Sequence, residues 1–284
     1  MSQARPDFAE LLPVATAAAD LAAERLRSAQ PGLVMAKGDR DMVTEVDLAI
    51  ERSVRAFLAD RTPAIACLAE EEGTSGEPAG LTWVLDPIDG TANFVHGSPL
   101  CGVSLGLLRR GRPVLGVIDL PLLGERYTAV EGGGAYADGE PIRASTTTDL
   151  AEAIVCQGDY AVGHQAARRN HLRLAVTRRL TERVQRVRMH GSAAIDLAWL
   201  ARGRTDAMIT LSNKPWDMAA GVAIAREAGA RVVDKDGAEH GRRSSATIGA
   251  SPALIPEILA LVNAAEADVA TATSPSPRPK PRRT

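Results

Sequence analysis

Residues 83–97 read WVLDPIDGTANFVHG, and this stretch decides how the rest of the chain is interpreted. Its first three residues form a short apolar run typical of a β-strand, and the run leads into a turn that carries Asp86 and Asp89. We expect Pro87 to stop the strand, because its φ is fixed and it has no N–H. Gly90 permits backbone geometry that is closed to other residues, so the two acids can converge on one point.

Two carboxylates and the Ile88 carbonyl at a strand end suit a hard cation such as Mg²⁺, which prefers oxygen ligands. Residues 90–92 can then start a helix whose free N–H groups face an anion. An ordinary Asp-rich β-turn is the alternative, because Asp-Pro and Asp-Gly pairs are common in turns. This stretch alone leaves both interpretations open.

The composition is that of an ordinary globular protein. With 284 residues, 45% of them hydrophobic, the chain can bury a substantial core as one large domain or two packed halves. A net charge of −2 and 3% aromatic residues give no case for nucleic-acid binding. Cys67, Cys101 and Cys156 are far apart and form no C-x-x-C pair, which favours buried thiols in a reducing compartment. Pro13 and Asp20 interrupt the first apolar run, so we predict neither a signal peptide nor a membrane span, and expect a cytoplasmic protein.

Other acidic segments can join the same site. Residues 44–47 read TEVD and resemble a capping box, in which Asp47 would stabilise the start of a helix. Residues 70–72 are three consecutive glutamates after a short predicted strand, and Asp217 opens a predicted helix. Each acid also has a purely structural explanation, as a first-turn acid, a solvated turn or a helix cap.

Strand and helix patterns alternate from about residue 150, which favours an α/β half. We interpret the five arginines of the predicted helix 166–181, Arg169 and Arg173 among them, as a solvated helix face. Repeated prolines among basic residues near the C-terminus indicate disorder. The predicted regions are 1–148, an N-terminal α+β half, 149–268, a C-terminal α/β half, and 269–284, a disordered tail.

The string D-P-I-D-G-T-x-N-F resembles the signature of the inositol monophosphatase family of Mg²⁺-dependent, lithium-sensitive phosphomonoesterases. The strings TEVD, AEE, GSAA and PWD resemble further family motifs and occur in the family's order between residues 37 and 229. The resemblance implies an α+β or α/β layered sandwich, α-β-α-β-α, of the sugar-phosphatase type. It also implies a homodimer that acts on a small phosphorylated metabolite, without a nucleic-acid or membrane partner.

The resemblance also assigns site residues. It implies two or three Mg²⁺ ions, with Mn²⁺ as the other option, held by Glu70, Asp86, the Ile88 carbonyl, Asp89 and Asp217. Because three acids are consecutive, the register can slip by one, which makes Glu71 the alternative to Glu70. The implied catalytic residues are Asp47, Thr91 and Glu70, the first two orienting and deprotonating the attacking water. The implied substrate contacts are Gly90, Thr91, Gly191, Ser192, Ala193, Thr210 and Asp217.

The resemblance implies hydrolysis of a small phosphorylated polyol, of the inositol 1-phosphate type, by metal-activated water. Many family members carry a glutamate that accepts a polyol hydroxyl where this chain has Thr210, seven residues before Asp217. That departure keeps histidinol phosphate, a phosphoadenosine nucleotide and fructose 1,6-bisphosphate open as substrates. A metal-binding regulatory scaffold is the non-enzyme alternative, although a scaffold does not require the full set of acids.

Overall fold

The computed structural model describes residues 8–30, 32–38, 41–77 and 80–273. Two helices form its first layer. The N-terminal helix begins with a 3₁₀ turn, Phe8–Leu11, and continues as α1, Leu12–Ser28, whose buried alanines pack on α2, Glu45–Arg61. A short antiparallel hairpin lies between the two helices and consists of β1, Val34–Gly38, and β2, Asp41–Thr44.

The predicted capping box at the start of α2 is confirmed. The Thr44 hydroxyl accepts hydrogen bonds from the N–H groups of Val46 and Asp47, and the Asp47 carboxylate accepts from the Thr44 N–H at 2.9 Å. Because these bonds satisfy N–H groups that have no partner within the helix, they fix the point at which α2 begins. Asp47 is thereby held in a buried position.

The second layer is an eight-stranded sheet with the order β10-β9-β8-β7-β6-β5-β3-β4. Its strands are antiparallel except for the parallel pair β3 and β5. The bounds are β3 Ala66–Ala69, β4 Gly73–Ser75, β5 Leu81–Asp89, β6 Gly102–Arg109, β7 Arg112–Leu120, β8 Glu125–Val130, β9 Gly134–Ala137 and β10 Glu140–Pro141. Strands β6 and β7 form an antiparallel hairpin.

The expectation that Pro87 stops the strand is wrong, because β5 continues to Asp89. The pairing with β6 is irregular there: Asp86 lies opposite Ser104, and Asp89 lies opposite Gly102. Since Pro87 has no N–H to donate, it interrupts the hydrogen-bond ladder at this bulge without ending the strand. A short helix, α3 (Thr91–Val95), then follows, as predicted.

A five-stranded sheet, in the order β12-β11-β13-β15-β14, forms the fourth layer. Its bounds are β11 Ile154–Gln157, β12 Arg186–Arg188, β13 Ala207–Thr210, β14 Arg231–Val233 and β15 Thr247–Ala250. The remaining helices are α4 Ala166–Thr181, α5 Ala193–Ala201, α6 Pro215–Glu227 and α7 Ile255–Thr273. Strand β11 pairs in parallel with β12 and β13, whereas β15 pairs antiparallel with β13 and β14.

Five layers pack around three large apolar cores and a smaller cluster of Leu68, Val84, Leu108 and Ala219 among the described residues. The first core joins α1 and α2 to the eight-stranded sheet, and the second joins the other face of that sheet to α5, α6 and the five-stranded sheet. The third core covers the outer face of the five-stranded sheet with α4 and α7. Alternation along β13 shows this arrangement, since Met208 belongs to the second core while Ala207 and Ile209 belong to the third. The predicted α-β-α-β-α sandwich is therefore confirmed.

The division at residue 148 falls between the two sheets and stays a prediction, because α5 and α6 pack against strands of both. Residues 269–273, which we assigned to the disordered tail, belong to α7 instead. They read VATAT and contain no proline, so the helix continues through them. Residues 274–284 lie outside the described residues. Among the described residues, no helix has both the length and the apolar character to cross a bilayer.

Two glycines let α6 lie directly on the eight-stranded sheet. A Cβ atom at Gly106 would lie 2.8 Å from the Ala220 nitrogen, and one at Gly116 would lie 2.3 Å from the Ala220 carbonyl oxygen. Real Cβ atoms do not approach backbone this closely, so the helix and the strands require glycine at these contacts.

We predict that Gly116→Ala lowers the free energy of unfolding by about 1–3 kcal/mol or more, because the new methyl group would push α6 away from β7. Urea denaturation measures the change. Gly241→Ala is the matched control, since the nearest atom to its new Cβ is the Gly111 carbonyl oxygen at 3.6 Å, an ordinary contact. A Gly116 variant as stable as the control would show that the helix can move at no cost.

Candidate active site

Three carboxylates converge where β3, β5 and α6 meet. Glu70 follows β3, Asp86 lies near the end of β5, and Asp217 lies in the first turn of α6. One oxygen from each carboxylate lies within 4.8 Å of the others. The fold therefore brings these three acids together. Of the two glutamates considered, Glu70 is the one whose carboxylate joins Asp86 and Asp217.

Glu51, a residue that sequence analysis missed, anchors the turn that carries Glu70. The Glu51 side chain is fully buried in α2, and its two oxygens accept hydrogen bonds from the N–H groups of Glu71 and Glu72, both at 2.8 Å. Arg55 pairs with Glu51 at 2.9 Å and also donates to the Gly73 carbonyl. The i,i+4 spacing of Glu51 and Arg55 was visible in the sequence, but it is equally typical of a solvated helix face.

Asp89 links the Asp-rich strand to the loop before α5. Its carboxylate accepts hydrogen bonds from the Ser192 hydroxyl at 2.6 Å and from the Ala194 N–H at 2.5 Å. Ser192 also caps α5, because its hydroxyl accepts from the Ile195 N–H. The predicted substrate loop and the predicted metal ligand are thus in direct contact.

Thr91, Asp47 and the Ile88 carbonyl form a second polar group beside the acids. The Thr91 hydroxyl lies 3.2 Å from an Asp47 oxygen and 3.0 Å from the Ile88 carbonyl oxygen, so it can donate to either. Gly90 precedes Thr91 with φ 88°, a left-handed conformation that favours glycine. The Thr44 hydroxyl also donates to Asp47, which leaves this carboxylate well oriented.

Burial and repulsion from neighbouring acids raise the pKa values of Asp86, Asp89 and Asp217. The pKa of Asp86 lies well above its ordinary value, because the group is buried and because Glu70, Asp89 and Asp217 repel its negative charge. Burial, then repulsion from Asp89, raises the pKa of Asp217 to about 8, although Lys214 opposes this effect. Burial raises the pKa of Asp89 to about 6 despite its hydrogen bonds from Ser192 and Ala194.

A cavity of about 480 Å³ opens beside the carboxylates. Of the residues predicted to contact substrate or metal, it is lined by Asp89, Gly191, Ser192, Ala193, Thr210 and Asp217. Gly90 and Thr91 are not among its lining residues: Thr91 contacts Asp47, and Gly90 packs against the Gly191 backbone. The cavity therefore joins the residues of the predicted substrate loop to Thr210, on β13, and to the acids.

The interpretation of the α4 arginines as a solvated face is wrong for Arg173, which is half-buried, whereas Arg169 is exposed as expected. Arg169 and Arg173 line the cavity, and the Arg173 guanidinium donates to the carbonyl oxygens of Asp159 at 3.2 Å and Leu211 at 3.0 Å. One face of α4 meets the end of β13, which a helical pattern alone does not reveal. Lys214 also lines the cavity and pairs with Glu70 at 3.4 Å.

Asn93 and His190 were also missed, and they fix the wall of the cavity. The Asn93 amide donates to the carbonyl oxygens of Leu100 at 2.8 Å and His190 at 2.7 Å, which ties α3 to the loop before α5. The His190 ring lies 2.7 Å from the buried Asp196 carboxylate. Asn93 belongs to the DPIDGTANF string, so the string itself was the available signal.

The profile of the inositol monophosphatase family matches residues 7–267. The chain belongs to the inositol monophosphatase family. Members of this family are phosphatases that hydrolyse phosphoric monoesters and generally depend on metal. The predicted family, the layered fold and the class of enzyme are therefore confirmed.

Named relatives agree with this assignment. The chain is 40% identical over 228 residues to inositol-1-monophosphatase ImpA of Mycolicibacterium smegmatis, covering 80% of this chain and 82% of the relative. It is 36% identical over 230 residues to the fructose-1,6-bisphosphatase/inositol-1-monophosphatase of Thermotoga maritima, covering 80% and 84%. The crystal structure of extragenic suppressor protein SuhB from Bartonella henselae superposes with a TM-score of 0.83 at 31% identity, covering 89% of this chain and 98% of that one.

We predict that the metal-free protein loses stability as pH rises from about 4 to about 8. The folded state holds the Asp217 proton up to a pKa of about 8, whereas the unfolded chain releases it near the ordinary value of 3.8, so stability falls between these two pKa values and levels off above the folded one. Asp217→Asn removes this titration. Calorimetry in EDTA over this pH range should therefore show that the Tm of the unmodified chain falls more steeply with pH than the Tm of Asp217→Asn. The difference should be about 2–4 °C for each kcal/mol of stability lost. Parallel curves for the two proteins would contradict the assignment.

Proposed function

We propose that the protein is a Mg²⁺-dependent phosphomonoesterase that hydrolyses a small phosphorylated polyol or a related metabolite. The observation that carries this proposal is the convergence of Glu70, Asp86 and Asp217 beside a cavity large enough for a small metabolite. The family shown for the chain fits this function, and the relatives named above fit it as well.

The donor set suits a hard cation. Glu70, Asp86, Asp89 and Asp217 offer carboxylate oxygens and Ile88 offers a carbonyl oxygen, which favours Mg²⁺ or Mn²⁺ over Zn²⁺. Burial and, after it, repulsion from the other acids raise the pKa values of Asp86 and Asp217. A bound cation would relieve that repulsion. Bound Mg²⁺ ions would supply neutralisation of the phosphate charge and a water molecule of lowered pKa.

Residues of the chain would position the attacking water. The Thr91 hydroxyl has one proton, which it donates to Asp47 or to the Ile88 carbonyl, so its oxygen remains available to accept a hydrogen bond from water. Asp47, oriented by the Thr44 N–H and hydroxyl, would receive the proton that the water releases. The buried position of Asp47 raises its pKa, which makes it a stronger base than an exposed aspartate.

Other residues would bind the substrate. The N–H groups of Gly90 and Thr91 would hold phosphate oxygens, and the loop of Gly191, Ser192 and Ala193 would contact the organic part. In this proposal the phosphate would lie beside the acids and the organic part of the substrate would lie in the cavity. The leaving oxygen would then lie between the acids and the cavity.

We expect Asp89→Asn to lower the activity by at least about 100-fold. Changes to residues that only orient metal ligands already lower metal affinity or activity by about 10–100-fold. Asparagine keeps the shape and can still accept from Ser192 and Ala194, so the loss would come from the missing charge. Release of phosphate from inositol 1-phosphate with and without Mg²⁺ gives the activity, and a Mn²⁺ titration gives the affinity for metal.

Asp138→Asn is the control for this experiment. Asp138 is an exposed acid with φ 52°, a conformation that asparagine tolerates, and it accepts from the Arg126 N–H. Equal turnover in metal-free buffer, or unchanged Mn²⁺ affinity in the Asp89 variant, would contradict the mechanism. The same assay checks the lithium sensitivity implied by the family, since full activity in a large excess of Li⁺ would show a differently built site.

A substrate with a second anionic group is the other candidate. Thr210 carries no charge at the position of the family's glutamate, while Lys214, Arg169 and Arg173 line the same cavity. The Thermotoga relative is named for activity on fructose 1,6-bisphosphate as well as inositol 1-phosphate. A neutral Thr210 would not repel a second phosphate, and the cationic side chains would attract it.

We predict that Thr210→Glu raises kcat/KM for inositol 1-phosphate relative to fructose 1,6-bisphosphate by roughly ten- to a hundredfold, which corresponds to one charge-assisted hydrogen bond of about 1.5–3 kcal/mol. Thr210→Gln is the matched control, because it has nearly the same size without the charge. A ratio that moves equally in both variants would attribute the effect to volume, and a ratio that does not move would show that residue 210 does not face the substrate.

A further inference from the structure

A second cavity, of about 790 Å³, lies away from the carboxylates, where the turn between β6 and β7 meets the segment between β14 and β15. We call it the arginine cavity, because Arg110, Arg112, Arg242 and Arg243 line it. Its acidic lining residues are Asp234 and Glu239. Neither the proposed catalysis nor the family motifs use any of these residues.

Positive charge in the arginine cavity is only partly compensated. Arg112 pairs with Glu239, and the Asp234 carboxylate accepts hydrogen bonds from the N–H groups of Ser245 and Ala246. Among the described residues, no carboxylate pairs with Arg110, Arg242 or Arg243. Burial lowers the pKa of His240, which also lines the cavity, to about 4, so this ring adds no charge at neutral pH.

The arginines lie on two turns whose backbones are joined by a hydrogen bond. Arg110 has φ 51° and Gly111 has φ 83°, in a two-residue turn that closes the hairpin of β6 and β7. Such turns favour asparagine or glycine at the first position, so arginine is kept there at a conformational cost. The Arg242 N–H donates to the Gly111 carbonyl at 3.0 Å, which joins the two arginine-bearing turns.

Asn213 anchors the second turn to the rest of the protein. Its amide donates to the carbonyl oxygens of Gly241 at 3.1 Å and Ser244 at 2.9 Å. Arg226, on α6, donates to the His240 carbonyl at 2.7 Å. The cavity is therefore built on fixed backbone, which lowers the entropic cost of ordering a ligand.

We propose that the arginine cavity binds a small polyanion that carries phosphate groups, at a site separate from the active site. Guanidinium groups bind phosphate through pairs of charge-assisted hydrogen bonds, and within the part of the chain that the structure describes Arg110, Arg242 and Arg243 are in no ion pair with a carboxylate. The concave shape and the volume match a small ligand, whereas a nucleic acid would require an extended basic surface.

Calorimetric titration of the full chain with inorganic pyrophosphate in EDTA tests the proposal. Without divalent cations the cluster of Glu70, Asp86 and Asp217 repels an anion, so the active site contributes little to binding. Arg242→Ala/Arg243→Ala should weaken binding by about tenfold or more, since each charge-assisted hydrogen bond corresponds to at least that factor. Both side chains are exposed, so Tm should stay unchanged and separate loss of binding from loss of folding.

Arg186→Ala/Arg188→Ala is the matched control, because it removes two exposed arginines from β12, outside the cavity. Its affinity should stay within about twofold, since distant charges are screened by salt. Three results would overturn the proposal: no binding by the unmodified chain, equal weakening in both double variants, or loss of binding in Arg169→Ala of the active-site cavity instead. Binding of a nucleic-acid oligomer without binding of pyrophosphate would also overturn it.

Discussion

Repulsion among carboxylates that are buried or half-buried is the constraint on which the rest of the structure depends. Glu70, Asp86 and Asp217 come from three elements, and each would move away from the others if its backbone were free to move. The fold prevents this by anchoring the neighbouring segments: Glu51 holds the turn after Glu70, and the loop before α5 holds Asp89. The free energy that offsets the repulsion comes from the apolar cores, which begin at the residues next to the acids: Leu85 precedes Asp86, and Met218 follows Asp217.

Close packing of α6 brings the last acid into the cluster. Gly106 and Gly116 allow the helix to touch the backbone of β6 and β7, and Asp217 lies in the first turn of that helix. A larger residue at either glycine would move the helix as a rigid body, and with it the Asp217 carboxylate. Gly106 and Gly116 thus affect the position of Asp217, although they do not contact it.

Much of the site could be predicted because its residues lie at ends of elements, where local patterns are strongest. The capping box at Thr44 and the helix starts near Gly90 and Asp217 are local features, and the structure has them where the sequence indicated. Pro87 misled the prediction because a bulge depends on the partner strand, which a single segment does not specify. Glu51 and Arg173 were missed for a related reason: their partners lie 20 and 38 residues away in the chain.

Apart from Asp89 and Asp217, the cavity wall and the acids proposed to bind metal belong to different elements, and under the proposed function this separation would let one catalytic core serve different phosphate esters. The acids follow β3, end β5 and begin α6, whereas much of the cavity wall comes from α4 and from the segments after β11 and before α5. A substitution in α4 can therefore change the charge that faces the substrate without moving a carboxylate. Thr210 is the exception, because it ends β13 only seven residues before Asp217 and lies in the same cavity. A charge placed there would act on the substrate and on the acids together, so under the proposed function residue 210 would couple specificity to metal affinity.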